Sequence, residues 1–159
     1  VEIANDNAPG QVVISGNVKP LDLIIEVAKK SGVRKIIKLS VSAPFHCSLM
    51  KPAAEIMKNA LEKVKFLEPK VPIISNVSAI PETSPQILKN NLVLQVTNRV
   101  RWRETMASLP RLGINQIVEM GTGQVLTGLA RRGAKNLQSI NLETSTAIKN
   151  WLKLEKLIN

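Results

Sequence analysis

The chain has 159 residues, 44% of them hydrophobic and 21% charged, which gives it the size of one domain with apolar material for a core and excludes a disordered or fibrous protein. Its rings are Phe45, Phe66, Trp102 and Trp151 alone, so Ile, Leu and Val must build the interior, and stacking platforms for single-stranded nucleic acid are poorly supplied. Lys and Arg number 22 against 12 Asp and Glu, a formal net charge of +10; this favours acidic partners of any class, from nucleic acid and anionic membrane to a phosphorylated cofactor or an acidic protein, without choosing among them.

Residues 1–4 and 11–15 read as short strands around the turn-forming Asn5-Asp6-Asn7-Ala8-Pro9-Gly10. From Leu21, the positions Leu21, Ile24, Ile25 and Ala28 keep the spacing of one helix face, with Pro20 near its start and Gly32 past its end. Residues 35–41 alternate into a branched strand that delivers the chain to Ala43-Pro44-Phe45-His46. Ser48 is expected to cap a long helix with Met50, Ala53, Ala54, Met57, Leu61 and Val64 inward. Residues 71–75 read as a buried strand and Ser84-Pro85 as a helix start, while Trp102, Met106 and Leu109 line the inner face of a further helix. Residues 114–120 form a strand ending at a glycine turn, Val125, Leu126 and Leu129 mark a helix, residues 138–141 a short strand, and Thr144 opens a terminal helix with Ile148, Trp151 and Leu152. Alternating strands and helices predict an α/β fold with a mainly parallel sheet and flanking helices. The one boundary drawn lies near Ser42.

The single cysteine, Cys47, excludes an intramolecular disulfide, and one cysteine with one histidine cannot make a usual Cys/His zinc site, so no metal is expected. No apolar run reaches the 18 residues of a membrane span, and an N-terminus with Glu2 and Asp6 lacks a signal-peptide profile. A cytoplasmic chain with no membrane partner is expected. The basic clusters Arg99-Val100-Arg101-Trp102-Arg103 and Arg131-Arg132 are too short for a nucleic-acid arm and read as solvated faces. Gly121-Thr122-Gly123 lacks the Lys-Ser/Thr ending of a phosphate loop and reads as a strand-to-helix turn. Cys47 reads as a passive thiol.

His46 is the residue best suited to proton transfer, because both protonation states of an imidazole are accessible near neutrality. The segment Ser42-Ala43-Pro44-Phe45-His46-Cys47-Ser48-Leu49-Met50-Lys51-Pro52-Ala53-Ala54 resembles the histidine segment of malonyl-CoA:acyl carrier protein transacylases. Asn5 to Gly16, Val71-Pro72-Ile73-Ile74-Ser75-Asn76-Val77, the stretch from Gln95 to Trp102, and Glu119-Met120-Gly121-Thr122-Gly123-Gln124-Val125-Leu126 are similar to other segments of that family, in its order, as far as about Leu142. The resemblance implies a ping-pong transfer in which a serine takes malonyl from coenzyme A and passes it to the phosphopantetheine thiol of acyl carrier protein. It implies that His46 is the base and that the main-chain carbonyl of Gln95 orients the imidazole. Phe45 is similar to the bulky ring of malonyl-selecting members, although a buried aromatic needs no such role. Asn5 and Asn7 match residues near the family's cleft, although turn formers there need none either. The implied partners are malonyl-CoA, as substrate rather than bound cofactor, and acyl carrier protein.

The family's nucleophile lies in Gly-His-Ser-Leu-Gly, and this sequence holds no Gly-x-Ser-x-Gly pentapeptide. The family's Gly-Gln-Gly segment and its malonyl-binding arginine also have no counterpart. The resemblance therefore implies residues 1–42 as the remainder of a ferredoxin-like small subdomain and residues 43–159 as the C-terminal part of the large acyltransferase domain. The expectation is a His-bearing part of a malonyltransferase, inactive alone, with a separate N-terminal fragment as a further partner. The initial Val1 fits a truncated or split frame. The alternative is a non-catalytic remnant that binds acyl carrier protein. Three departures from the pattern are Asp6 in place of an aromatic, and Arg99 and Thr122 each in place of a proline.

Overall fold

A computed structural model describes residues 1–158; Asn159, the last residue of the expected large domain, lies outside them. By its internal packing the chain divides into two units, Val1–Thr105 and Met106–Asn159.

The first unit begins with β1 (Glu2–Ala8) and β2 (Gln11–Ser15), an antiparallel hairpin closed by Pro9-Gly10. Gly10 has φ 75°, the left-handed conformation that a tight turn requires and glycine supplies without a steric cost. β1 runs four residues further than its sequence predicts, through Asn5, Asp6 and Asn7. The reason is a second partner: Asp6 N–H donates to the Val100 carbonyl and Val100 N–H to the Ala4 carbonyl, both at 2.8 Å. With β2 on one edge and residue 100 on the other, β1 buries Ala4, Asp6 and Ala8, the alternate positions of one face.

α1 (Val18–Lys30) follows. Leu21, Ile25 and Ala28 are half-buried along the expected stripe, yet no residue of the helix is fully buried, and Leu23 is 69% exposed. The strand expected over residues 35–41 does not form. Alternation makes a segment able to line a sheet, but a strand also needs an edge to pair with, and these residues have none; Ile37, Leu39 and Val41 stay exposed.

A 3₁₀ turn, Ser48–Met50, leads into α2 (Lys51–Glu62), which carries Pro52 in its first turn, where a missing N–H costs nothing. Of the predicted inward face only Ala54 is fully buried, with Met50, Ala53 and Leu61 half-buried. The two-residue strands β3 (Ile73–Ile74) and β4 (Pro81–Glu82) pair antiparallel. α3 (Pro85–Thr97) starts as its sequence predicts, Ser84 Oγ accepting from Ile87 N–H at 3.4 Å, and packs on α2. Arg101 ties the start of α4 (Trp102–Ser108) to the loop before β4 by donating to the Val77 and Ser78 carbonyls and to Glu104.

In the second unit, β5 (Gln116–Met120), α5 (Val125–Gly133) and β6 (Gln138–Leu142) form a parallel strand pair joined through a helix. It is the one parallel pair of strands among the described residues. A parallel connection needs a crossover of this length, so the α/β reading holds here. α5 lacks a side-chain cap from the residue before it; instead the Glu119 carboxylate accepts from Leu126 and Thr127 N–H, at 3.0 and 2.8 Å. An anion there meets both free donors and the positive end of the helix dipole. Gly123 is held from both sides, its N–H donating to Glu143 and its carbonyl accepting from Asn141. α6 (Ser145–Ile158) opens with Thr144 Oγ1 accepting from Ala147 N–H. Leu129, Ala130, Leu137 and Leu142 are buried in this unit.

Leu142 is 3% exposed and Leu23 is 69% exposed. Leu142→Ala should therefore destabilise the second unit by about 2–4 kcal/mol, through lost transfer energy and a residual cavity. Leu23→Ala should change stability by less than about 0.5 kcal/mol. Urea unfolding of the two variants checks the contrast.

Candidate active site

His46 lies between the irregular stretch after α1 and the 3₁₀ turn before α2. Its φ of 59° is left-handed, a conformation that histidine tolerates better than bulkier or branched side chains but that still costs of order 1 kcal/mol. The surrounding turn offsets that cost with local bonds. Phe45 N–H donates to the Ala43 carbonyl at 3.0 Å, the Cys47 thiol to the Pro44 carbonyl at 3.1 Å, and Met50 N–H to the Cys47 carbonyl at 3.0 Å. Cys47 is fully buried and its thiol is used in that bond, in line with the passive role read from the sequence.

The half-buried imidazole meets α3. His46 Nδ1 lies 2.7 Å from the Gln95 carbonyl oxygen. A carbonyl only accepts, so Nδ1 must carry the proton, and in the neutral ring the lone pair is then on Nε2. Gln95 is in the last turn of α3, where the carbonyls have no partner one turn ahead. The bond uses one of those free acceptors. It also places the ring at the helix end where partial negative charge gathers, a favourable field for a transient imidazolium. The arrangement can take up a proton at Nε2 and hold the resulting cation without a carboxylate.

Phe45 is 47% exposed beside this histidine, so it is a surface ring rather than a core residue in this chain. Asn5 and Asn7 lie on the partly exposed face of β1, opposite Ala4 and Asp6. Among the described residues no hydrogen bond joins either asparagine to His46. The structure thus joins His46 directly to Gln95, sets Phe45 beside it by sequence, and leaves the asparagines on a neighbouring strand.

Two interactions near the site have no sequence signal, because their partners are far apart in the chain. Glu2 accepts from both the Ser48 N–H, at 3.0 Å, and the Ser48 hydroxyl. Ser48, expected as a helix cap, is itself capped by Glu2. Asp6 accepts a two-pronged pair from Arg103, Nε to Oδ1 at 2.8 Å and Nη2 to Oδ2 at 2.7 Å. The Asp6 side chain is 10% exposed and that of Arg103 50%. The Arg103 hydrogen bonds hold the Asp6 carboxyl below its usual range despite its burial. An open cavity of about 240 Å³ in the second unit, lined by Met106, Pro110, Lys135 and Asn136 among others, contains none of the sequence-predicted site residues. Among the described residues no group of three His, Cys, Asp or Glu could hold a metal, and no helix is long and apolar enough to cross a membrane.

No protein-family model matches the chain. Among curated proteins it is 42% identical over 140 residues to the malonyl CoA-acyl carrier protein transacylase of Bacillus subtilis, covering 88% of this chain and 44% of that protein. The Staphylococcus aureus transacylase is 32% identical over 151 residues, 95% of this chain and 49% of that protein. Among solved structures, the acyl-carrier-protein-S-malonyltransferase of Bartonella henselae superposes with a TM-score of 0.91 at 48% identity, over 96% of this chain and 49% of that one. A malonyl-transacylase solved in complex with a type II polyketide-synthase acyl carrier protein gives 0.91 at 36% identity with the same coverage. The chain spans about half the length of the relatives it matches, and the matching half is their C-terminal one.

Because Asp6 has a depressed pKa in the folded state, its pairing contributes stability that is fully present above the unfolded value of about 3.9 and lost as pH falls through the folded value. Wild-type protein should lose stability below about pH 4, and Asp6→Asn should flatten that loss while lowering stability at neutral pH. Urea midpoints measured from pH 3 to pH 7 check the sign.

Proposed function

We propose that this chain is the histidine-bearing C-terminal portion of a malonyl-CoA:acyl carrier protein transacylase, in which His46 is the general base for a serine supplied by the N-terminal half. The observation that carries the reading is the His46 to Gln95 carbonyl bond, at 2.7 Å, inside a chain 42% identical to the B. subtilis enzyme.

In this reading the reaction is a two-step acyl transfer. Nε2 of His46 takes the serine proton as the hydroxyl oxygen attacks the malonyl thioester, and the coenzyme A thiol leaves with a proton from the imidazolium. The phosphopantetheine thiol of acyl carrier protein then attacks the malonyl-serine ester, its proton passing to His46, and the serine oxygen leaves protonated. The Gln95 carbonyl keeps Nδ1 protonated throughout. Phe45 borders the acyl group, and Asn5 and Asn7 border the cleft. Malonyl-CoA is a substrate, and no resident cofactor enters the chemistry. The net charge of +10 suits both the coenzyme A phosphates and an acidic carrier protein. The boundary near Ser42 between a small subdomain, residues 1–42, and the large domain, residues 43–159, belongs to the same proposal, as does a cytoplasmic location.

One observation favours a second reading: without a Gly-x-Ser-x-Gly elbow, the chain alone has no nucleophile of the family type and would serve as a module that binds acyl carrier protein. Reconstitution separates the two. The chain is combined with the N-terminal half of the B. subtilis transacylase, and malonyl transfer from coenzyme A to acyl carrier protein is measured. The expected result is transfer above that of the N-terminal half alone, lowered about 10²- to 10⁴-fold by His46→Ala. Gln95→Ala should stay within about threefold of wild type, because the acceptor is a backbone atom that every residue supplies. Full activity in His46→Ala would overturn the base assignment, and no gain on mixing would favour the binding module.

A further inference from the structure

His46 is held by more than its ring. The imidazole is fixed at Nδ1 by the Gln95 carbonyl, but the backbone that presents it is left-handed at φ 59° and preceded by residues 33–41, which form no secondary structure. On that side the nearest restraints are the short turn bonds of residues 43–47. On the other side the chain enters the 3₁₀ turn Ser48–Met50, whose first N–H groups have no partner within the turn. Glu2 provides that partner. Its carboxylate accepts from Ser48 N–H and from the Ser48 hydroxyl, two bonds made across 46 residues of chain.

Glu2 opens β1, and the other end of the His46–Gln95 bond is referred to the same strand. Five residues after Gln95, Val100 exchanges backbone hydrogen bonds with Ala4 and Asp6. Glu2 therefore sets the start of the His46 turn, and Ala4 and Asp6 set the chain just beyond α3, from positions two to four residues apart. We infer that Glu2 is a positioning residue for His46, acting through Ser48 to keep the imidazole within reach of the Gln95 carbonyl. The Ser48 hydroxyl, foremost, and the Ser48 N–H hold the Glu2 carboxyl below the usual range, and nearby Lys51 adds positive charge, so the acceptor stays ionised at neutral pH. This inference rests on the reading of His46 as the base for its consequence in turnover, but not for its geometry.

The chain's single histidine makes the geometry directly observable, because every imidazole signal of protein labelled with ¹⁵N-histidine comes from His46. In wild type, Nδ1 should appear protonated in the neutral ring. In Glu2→Ala the ¹⁵N pattern should move towards the average of the two tautomers seen for a free imidazole. Glu2→Gln, whose side-chain carbonyl can still accept from Ser48 N–H, should restore most of the wild-type pattern. Ser48→Ala should shift it in the same direction as Glu2→Ala, and the double variant should shift it no further than Glu2→Ala alone, since both act through one contact. Glu2 is exposed, so these variants should keep the fold, which the remaining amide spectrum reports. In the reconstituted transfer assay Glu2→Ala should lower kcat about three- to tenfold with KM unchanged, as loss of an exposed charge-assisted bond predicts. An unchanged His46 pattern in Glu2→Ala would overturn the positioning role. A shifted pattern in Glu2→Ala, with wild-type chain that never transfers malonyl on mixing, would leave that role standing and remove the catalytic reading instead.

Discussion

β1 is the strand on which the first unit depends. One edge pairs with β2 and the other with residue 100, so a seven-residue segment joins the start of the chain to the region after α3. The pairing explains why polar residues lie in a strand at all. With both edges occupied, the Asp6 N–H is satisfied by the Val100 carbonyl, and the Asp6 side chain can be buried because Arg103 answers its charge. The buried aspartate is thus compensated locally. Removing Arg103 would leave a buried carboxylate without a partner, which is costlier than never having had the pair.

The histidine site uses the cheapest acceptor available, a carbonyl at the end of a helix. A carboxylate in the same place would stabilise an imidazolium more strongly, but it would have to be desolvated and itself oriented. The Gln95 carbonyl is positioned by the helix that contains it. Its identity is indifferent to the side chain at position 95, so the family resemblance points to it while the chemistry of that side chain does not.

The sequence therefore disclosed the elements better than their connections. The starts of α3 and α6 were legible because Ser84, with Pro85 after it, and Thr144 are cap-forming residues shortly before apolar positions, and the Gly121-Thr122-Gly123 turn because glycines follow a strand. His46 was legible through the ordered motifs around it. Residues 35–41 misled because alternation reports only which face a strand would bury, not whether an edge exists to receive it. Ser48 misled because a serine before a helix commonly caps, and only the fold brings Glu2 close enough to reverse the roles. Likewise the extension of β1 to Ala8, the Asp6–Arg103 pair and the Glu119 cap all rest on partners that local reading does not pair. Long-range contacts set these details, while local propensity set the rest.

The helix α1 has an apolar stripe but no fully buried residue. A folded state with such a face gains stability from whatever covers it, in proportion to RT ln(1 + [L]/Kd) for a cover that binds the folded chain alone. A cover that binds this face in the folded state alone would raise the melting temperature of the chain.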